Sequence, residues 1–235
     1  MKCKLPFLSI IALCSAFLLS CSDFAEIAYE KRMGVQPGQP YEGSREDGRG
    51  DLNREVYETI VIGSQIWMAE NMKLRLEGSK CYDNDNSNCE DYGALYDWET
   101  AMTACPNVDG WRLPSSDDWA TLIDYVGGTQ FAGYKLKAAT RWGNGSGEDK
   151  FGFAAFPGGY CAKGATNDYC DWKDEWGIWW SSTPLRGDNS KAYTRIMVSR
   201  DILDKGEVAI AQNSSWELAE NKSNYFLSVR CVKDK

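Results

Sequence analysis

The sequence predicts an α+β domain in which two early helices pack on antiparallel strands joined by long, irregular, disulfide-stapled loops. Three observations carry this. Between Cys105 and Gly128 a loop, a helix start, a helix body and a helix stop follow one another. Beyond Val126 glycine becomes frequent, helical periodicity fades, and short β-branched or aromatic runs take over. Six cysteines, an even number, remain once Cys3, Cys14 and Cys21 are set aside, as an exported, disulfide-bonded chain requires.

Taken in order, the chain opens with Lys2, Lys4 and an apolar run from Leu5 to Leu19, too short to span a bilayer, which predicts a signal peptide over 1–20. The run closes on Leu18-Leu19-Ser20-Cys21, the form of a lipobox. Cys21 is therefore expected to be lipidated and to anchor the chain in the outer membrane; ordinary cleavage with Cys21 left as a thiol is the alternative. Residues 21–54 mix charges with Pro37, Gly38, Pro40, Gly43, Gly48 and Gly50 and show no sustained apolar period. They read as a flexible tether spanning roughly 30 Å, with a short helix over 24–33 as the alternative. The folded domain is expected over 55–235.

The formal charge of −8 becomes −10 when Lys2 and Lys4 leave with the leader. Such a chain is not a nucleic-acid binder and is not drawn to anionic headgroups, so its membrane partner is reached through the lipid alone. A hydrophobic content of 43% suffices for a core.

Alternation over 56–62, a Gly63-Ser64 turn and 65–68 predict an opening hairpin. Residues 71–88 read as loop. Leu95, Trp98, Met102 and Cys105 recur at helical spacing, predicting a helix over 92–104 whose buried stripe ends in Cys105. Pro106 and Pro114 bracket a loop. Ser115 then N-caps the central helix, with Asp118 as capping-box partner and Asp117 set against the helix dipole. Trp119, Leu122, Ile123 and Val126 form its apolar stripe, and Gly127-Gly128 stop it. A short element is expected at 135–138, alternation at Phe151, Phe153 and Ala155, and an Asp- and aromatic-rich loop over 161–176. Strands follow at 178–181, 193–198 and 208–210, with a hairpin connection at 201–206. The last strand covers 224–232, with Tyr225, Leu227, Val229 and Cys231 on one face and lying near the first strand.

Seven runs in one order, IGSQIWMAENM from Ile62, CYDNDNSNCEDYGALYDWETA from Cys81, CPNVDGWRLPSSDDW from Cys105, AGYKLKA from Ala132, FGFAAFPGGY from Phe151, WWSST from Trp179 and SVRCVKD from Ser228, resemble the Fibrobacter succinogenes major paralogous domain family. That resemblance implies a C-type-lectin-like fold, related to that of the formylglycine-generating enzymes, in a cell-surface setting. It carries no catalytic residues over. Six cysteines allow fifteen pairings; the lectin-like fold implies a bridge from the first helix to the last strand, which here is Cys105 with Cys231. Cys81 with Cys89 and Cys161 with Cys170 then pair locally, and no thiol is left for catalysis.

Asp83, Asp85, Ser87, Glu90 and Asp91 offer alternate oxygens as a calcium loop does, but without the glycine turn and spacing of an EF-hand, and turn formation is the simpler explanation. Asp168, Asp171, Asp174 and Glu175 fall where true lectins bind calcium and sugar, yet no Glu-Pro-Asn or Gln-Pro-Asp tripeptide stands there. Trp67, Trp98, Trp119 and Trp180 lie in periodic elements and are expected in the core. Tyr160, just before the predicted loop, and Tyr169, Trp172 and Trp176 within it are read as loop residues and are the candidate ligand surface, the alternative being a mini-core beneath that loop. The chain has no histidine, which excludes histidine-based triads, zincin motifs and histidine metal sites. The expectation is a non-catalytic surface lipoprotein that binds a glycan or a protein. A carboxylate-based polysaccharide hydrolase and a structural or adhesion component are the alternatives.

Overall fold

A computed structural model of the chain describes residues 39–40, 45–46, 56–106, 109–143, 145–204, 207–210 and 213–235. The leader expected over 1–20, Cys21 and most of the tether expected over 21–54 lie outside the described residues. Within that tether, Gln39–Pro40 (β1) and Arg45–Glu46 (β2) are paired to the domain, β1 with Val61 and Ile60 and β2 with Val56–Tyr57 (β3).

Thr59–Ile62 (β4) and Gln65–Met68 (β5) form the expected hairpin, turned at Gly63, whose φ of +63° glycine adopts without strain. Ser79–Lys80 (β6) leads into a 3₁₀ turn at Tyr82–Asn84 and a helix at Asn86–Tyr92 (α1), where the sequence predicts loop. Its cap is Asp85, whose carboxylate accepts the Ser87 N–H at 2.9 Å. The helix predicted over 92–104 is broken in two. Gly93, at φ +85°, ends α1; Leu95–Tyr96 is a strand (β7); and Asp97 caps a separate helix at Trp98–Ala104 (α2). A Cβ at Gly93 would lie 2.6 Å from that of Asn71, so close packing demands the glycine that interrupts the helix. Leu95, Trp98 and Cys105 are buried, but Met102, expected in the same stripe, is 41% exposed.

The central helix, Ser116–Tyr125 (α3), has the expected capping box between Ser115 and Asp118 and buries Trp119, Leu122 and Ile123. Burial alone would raise the Asp118 carboxyl. Bonds from Arg112 (Nε at 3.1 Å) and from the N–H and hydroxyl of Ser115 hold it below its usual range instead. Gly127 and Gly128 end α3 at positive φ, and Gly128 also opens a fourth helix, Thr129–Leu136 (α4), which sequence reasoning missed. Its internal Gly133 argues against helix, yet a Cβ there would meet the Ser214 carbonyl at 2.2 Å. That glycine serves packing.

Tyr160–Ala162 (β8) and Tyr169–Asp171 (β9) form a hairpin inside the stretch predicted as loop. Trp176–Pro184 (β10) and Lys191–Val198 (β11) are the long central pair, Ile202–Asp204 (β12) and Glu207–Ile210 (β13) a hairpin. Trp216–Asn221 (β14) was not expected. It is an edge strand without alternating burial, so period two leaves no trace in it. The predicted last strand is two, Tyr225–Ser228 (β15) and Val232–Asp234 (β16). One sheet has the order β1-β4-β5-β16, which places the end of the chain beside its opening hairpin. The other runs β14-β11-β10-β15-β7-β6, with β8 and β9 attached through β15. Pairing between these strands is antiparallel except at Trp179 with Ser228 on β10 and β15, and isolated parallel bridges join Lys137 to Ala155 and Gly159 to Gly177. The domain is α+β, with four helices among the described residues rather than the two expected.

Between β15 and β16 the chain changes sheets, and every residue from Phe226 to Val232 is buried. The single buried face expected for 224–232 therefore becomes two, and Arg230 points into the interior. Its guanidinium donates to the Asn71 side-chain oxygen at 2.9 Å, to the Ala154 carbonyl at 3.0 Å and to the Phe153 carbonyl. The same Asn71 oxygen accepts the Trp179 indole N–H at 2.8 Å, and the Asn71 amide donates to Tyr92 O at 2.8 Å. Trp67, Trp119, Phe153 and Trp179 surround this network in tilted and edge-on contacts.

The three disulfides are Cys105–Cys231, Cys81–Cys89 and Cys161–Cys170, the pairs expected from sequence. The first ties the end of α2 to the sheet crossing over 126 residues; the others close spans of 8 and 9. On the chain-entropy model the long bridge is worth about 4–5 kcal/mol and each short one about 2–3. Against a typical domain stability of about 5–15 kcal/mol, Cys105→Ala or Cys231→Ala should unfold the domain or shift its denaturant midpoint far down. Replacing Cys161 and Cys170 together should cost roughly half as much. Equal losses in the two cases would mean that closing the long loop does not set stability.

Candidate functional site

Side chains alternate along paired strands, so the register Tyr160↔Asp171, Ala162↔Tyr169 and Ala162↔Tyr225 puts Tyr160, Tyr169 and Tyr225 on one face of the β15–β8–β9 sheet. Cys161, its cross-strand partner Cys170 and Phe226 take the other face, where they pack with Leu95 and Tyr82. The disulfide staples β8 to β9, pairing with β15 holds the hairpin to the domain, and burial of the cysteine face leaves the tyrosines on the opposite one.

Trp172 and Trp176 reach the same region through a tight turn. The Trp176 N–H donates to Trp172 O at 2.9 Å, the Asp171 carboxylate accepts the Trp172 N–H at 2.8 Å, and Trp172 and Asp174 adopt positive φ. Their indoles stack with centroids 4.8 Å apart and planes at 21°. Gly159 lets β8 lie against this turn: its N–H donates to Trp176 O at 2.8 Å, and a Cβ there would meet Asp171 O at 2.5 Å.

Tyr160, Trp176 and Tyr225 wall a cleft of about 90 Å³ whose described lining is completed by Ile178, Leu227 and Glu220. The Tyr160 and Tyr225 rings meet edge to face at 5.6 Å. Of the four aromatics predicted from sequence, two line the cleft. Tyr169, 52% exposed, stands on the same face, and Trp172 stacks on Trp176 with the Arg200 guanidinium 5.8 Å from its ring. Sequence reasoning missed Tyr225, assigned to a buried strand face, and Glu220, which lies in the unrecognised β14; the Asn221–Asn224 turn before Tyr225 was the available signal.

Burial, reinforced by Tyr169, Asp171, Tyr225 and Glu220, pushes the Tyr160 phenol up to about 12, and burial raises Tyr225 as well. Both phenols stay neutral at physiological pH and can donate or accept hydrogen bonds. Burial also raises the Glu220 carboxyl against the pull of Lys191, whose ammonium lies 3.8 Å from Asp188. Glu220 makes no hydrogen bond or ion pair among the described residues.

The proposed calcium residues serve elsewhere. Asp85 and Ser87 form the α1 cap, Asp91 pairs with Arg141 at 3.0 Å, Asp83 sits in the left-handed 3₁₀ turn and Glu90 lines a polar pocket of about 150 Å³ beside Arg141 and Lys73. The second acidic set is equally dispersed. Asp168 pairs with Lys80, Asp174 accepts the Tyr92 hydroxyl, Glu175 lies 3.0 Å from Arg200, and Asp171 orders the Trp172 turn. No group of three or more such side chains converges to hold a metal ion among the described residues. Trp67, Trp98, Trp119 and Trp180 are buried.

Fold and site together define a disulfide-stapled α+β domain that presents an aromatic cleft beside its central sheet. The chain belongs to the Fibrobacter succinogenes major domain family, whose model matches residues 60–233. Comparison with curated proteins and with solved structures returned no match.

A folded carboxyl pKa raised by burial means that ionised Glu220 costs stability at neutral pH, a cost absent once the group is protonated in both states. Glu220→Gln should therefore raise the melting temperature at pH 7, with the gain disappearing below about pH 4. A variant less stable than the parent at pH 7 would instead make the carboxylate a structural partner.

Proposed function

We propose that the chain is a cell-envelope lipoprotein, held to the outer membrane through Cys21, whose C-type-lectin-like domain recognises a glycan or protein partner without catalysis. The observation that carries this reading is the aromatic surface itself: Tyr160, Tyr169 and Tyr225 on one sheet face, with the stacked Trp172–Trp176 pair beside them. Aromatic rings of this kind stack on the apolar C–H faces of sugars and anchor protein partners, while neutral phenols supply hydrogen bonds. The lectin-like topology draws support from the long bridge between α2 and the sheet crossing and from β16 lying against the opening hairpin.

Glycoside hydrolysis ordinarily uses two carboxyl groups flanking the bond that breaks, and Glu220 is the one carboxylate among the described residues lining the cleft. This favours binding over hydrolysis. No helix among the described residues is long and apolar enough to cross a membrane; the anchor in this reading is the lipid on Cys21.

On a glycan array the protein should bind a restricted set of glycans saturably, and Trp176→Ala should weaken that binding by about tenfold or more, the loss typical of a buried aromatic anchor. Uniform silence would move the weight to a protein partner or a structural role. Cys21→Ala should release the protein from the membrane fraction. If that variant partitioned into detergent like its parent, the anchor would lie elsewhere.

A further inference from the structure

The cleft is narrow, with about 90 Å³ of space between its walls, and suits a compact substituent of a ligand whose larger part rests against the aromatic surface. The question is what charge that substituent carries.

Three aromatic rings and one carboxylate answer it. Ring faces are negative and attract cations, and the attraction strengthens where water is excluded. Glu220 is half-buried in this setting, and no hydrogen bond or ion pair compensates it among the described residues. A neutral ligand would desolvate it further with nothing in return, and an anion would add like-charge repulsion. A cation would relieve its cost. No lysine or arginine is among the described residues lining the cleft, and the nearby Lys191 already faces Asp188. Tyr160 and Tyr225 stay uncharged, so Glu220 supplies the charge locally, within a chain whose formal net charge of −8 attracts cations at longer range.

We propose that the cleft between Tyr160, Trp176 and Tyr225 binds an ammonium group, either a primary amine or an alkylated ammonium carried by the ligand, with Glu220 as its counter-charge. This rests on the binding role proposed for the same surface and names the chemistry at its centre. The larger remainder of the ligand would lie along Tyr169.

The test is a titration of the full chain with tetramethylammonium chloride, followed by NMR of the tryptophan indole N–H signals, with sodium chloride as the salt control. Trp176→Phe identifies the reporting signal. Uncharged tert-butanol, of matching shape, is the comparison. Tetramethylammonium should shift the Trp176 signal saturably and bind about tenfold more tightly than tert-butanol. Glu220→Gln should remove that preference by weakening tetramethylammonium while leaving tert-butanol as tight or tighter, and Tyr225→Leu should weaken tetramethylammonium. Equal affinity for the two probes, no saturable shift, or an unchanged preference in Glu220→Gln would overturn the proposal. The two readings also fail separately. A silent glycan array with intact tetramethylammonium binding removes the glycan and keeps the ammonium site. Glycan binding lost in Trp176→Ala, together with inert tetramethylammonium, removes the ammonium site alone.

Discussion

Arg230 stands where the chain leaves one sheet for the other, wholly buried, and a guanidinium in that position persists only if the protein meets its donors. Burial disfavours its charged form, and the carboxylates of Asp149 and Glu70 oppose that loss. The acceptors come from distant parts of the chain: the Asn71 side chain, 159 residues away in sequence, and the Phe153 and Ala154 carbonyls. Ala154 takes a positive φ, and its N–H is held by Asp149 at 2.8 Å. The opening hairpin's exit, the glycine-rich middle and the final strands must therefore be in place together.

The Cys105–Cys231 bridge reinforces the same junction from the helical side, one residue beyond Arg230. Trp179 reaches it from β10 through Asn71, so the central sheet is in register with the crossing. Upstream of the crossing, β15 pairs with β7, β8 and β10. The cleft inherits its geometry from this arrangement. Tyr225 begins β15, Tyr160 begins β8 and Trp176 begins β10, so the starts of three strands converge on one side of a rigid junction. Binding surfaces set on regular elements hold their geometry better than surfaces on loops, and here only the Trp172 turn is irregular.

The interior and the cleft treat charge differently. Arg112–Asp118 at the head of α3 and Arg230 in the core have their hydrogen bonds met, whereas Glu220 makes no hydrogen bond or ion pair among the described residues where a ligand would arrive. An unpaired, half-buried carboxylate lowers stability, and such local costs collect where proteins bind. The candidate site is thus marked less by the number of its aromatics than by a half-buried carboxylate that makes no hydrogen bond or ion pair among the described residues.

The sequence by itself determined the α+β class, the central helix with its cap and stop, the opening hairpin and, through seven ordered runs, the family. The elements rest on local causes: helical period three to four, strand period two and a capping box. It also marked Tyr160, Tyr169, Trp172 and Trp176, but as loop residues, whereas three of the four lie on strands and Trp172 alone in a turn. The tertiary structure decided the rest. Whether 92–104 is one helix or a strand and a helix turns on how close Asn71 comes to Gly93, and α4 carries the helix-weakening Gly133 because Ser214 leaves no room there for a side chain. The burial of Arg230 follows from sheet order, which no local pattern encodes. Tyr225 and Glu220 join the cleft for the same reason. Strand pairing from β8 through β15, β10 and β11 to β14 brings together in the cleft residues up to 67 positions apart, Tyr160 and Leu227, and pairing of that kind is written in the whole chain rather than in any window of it.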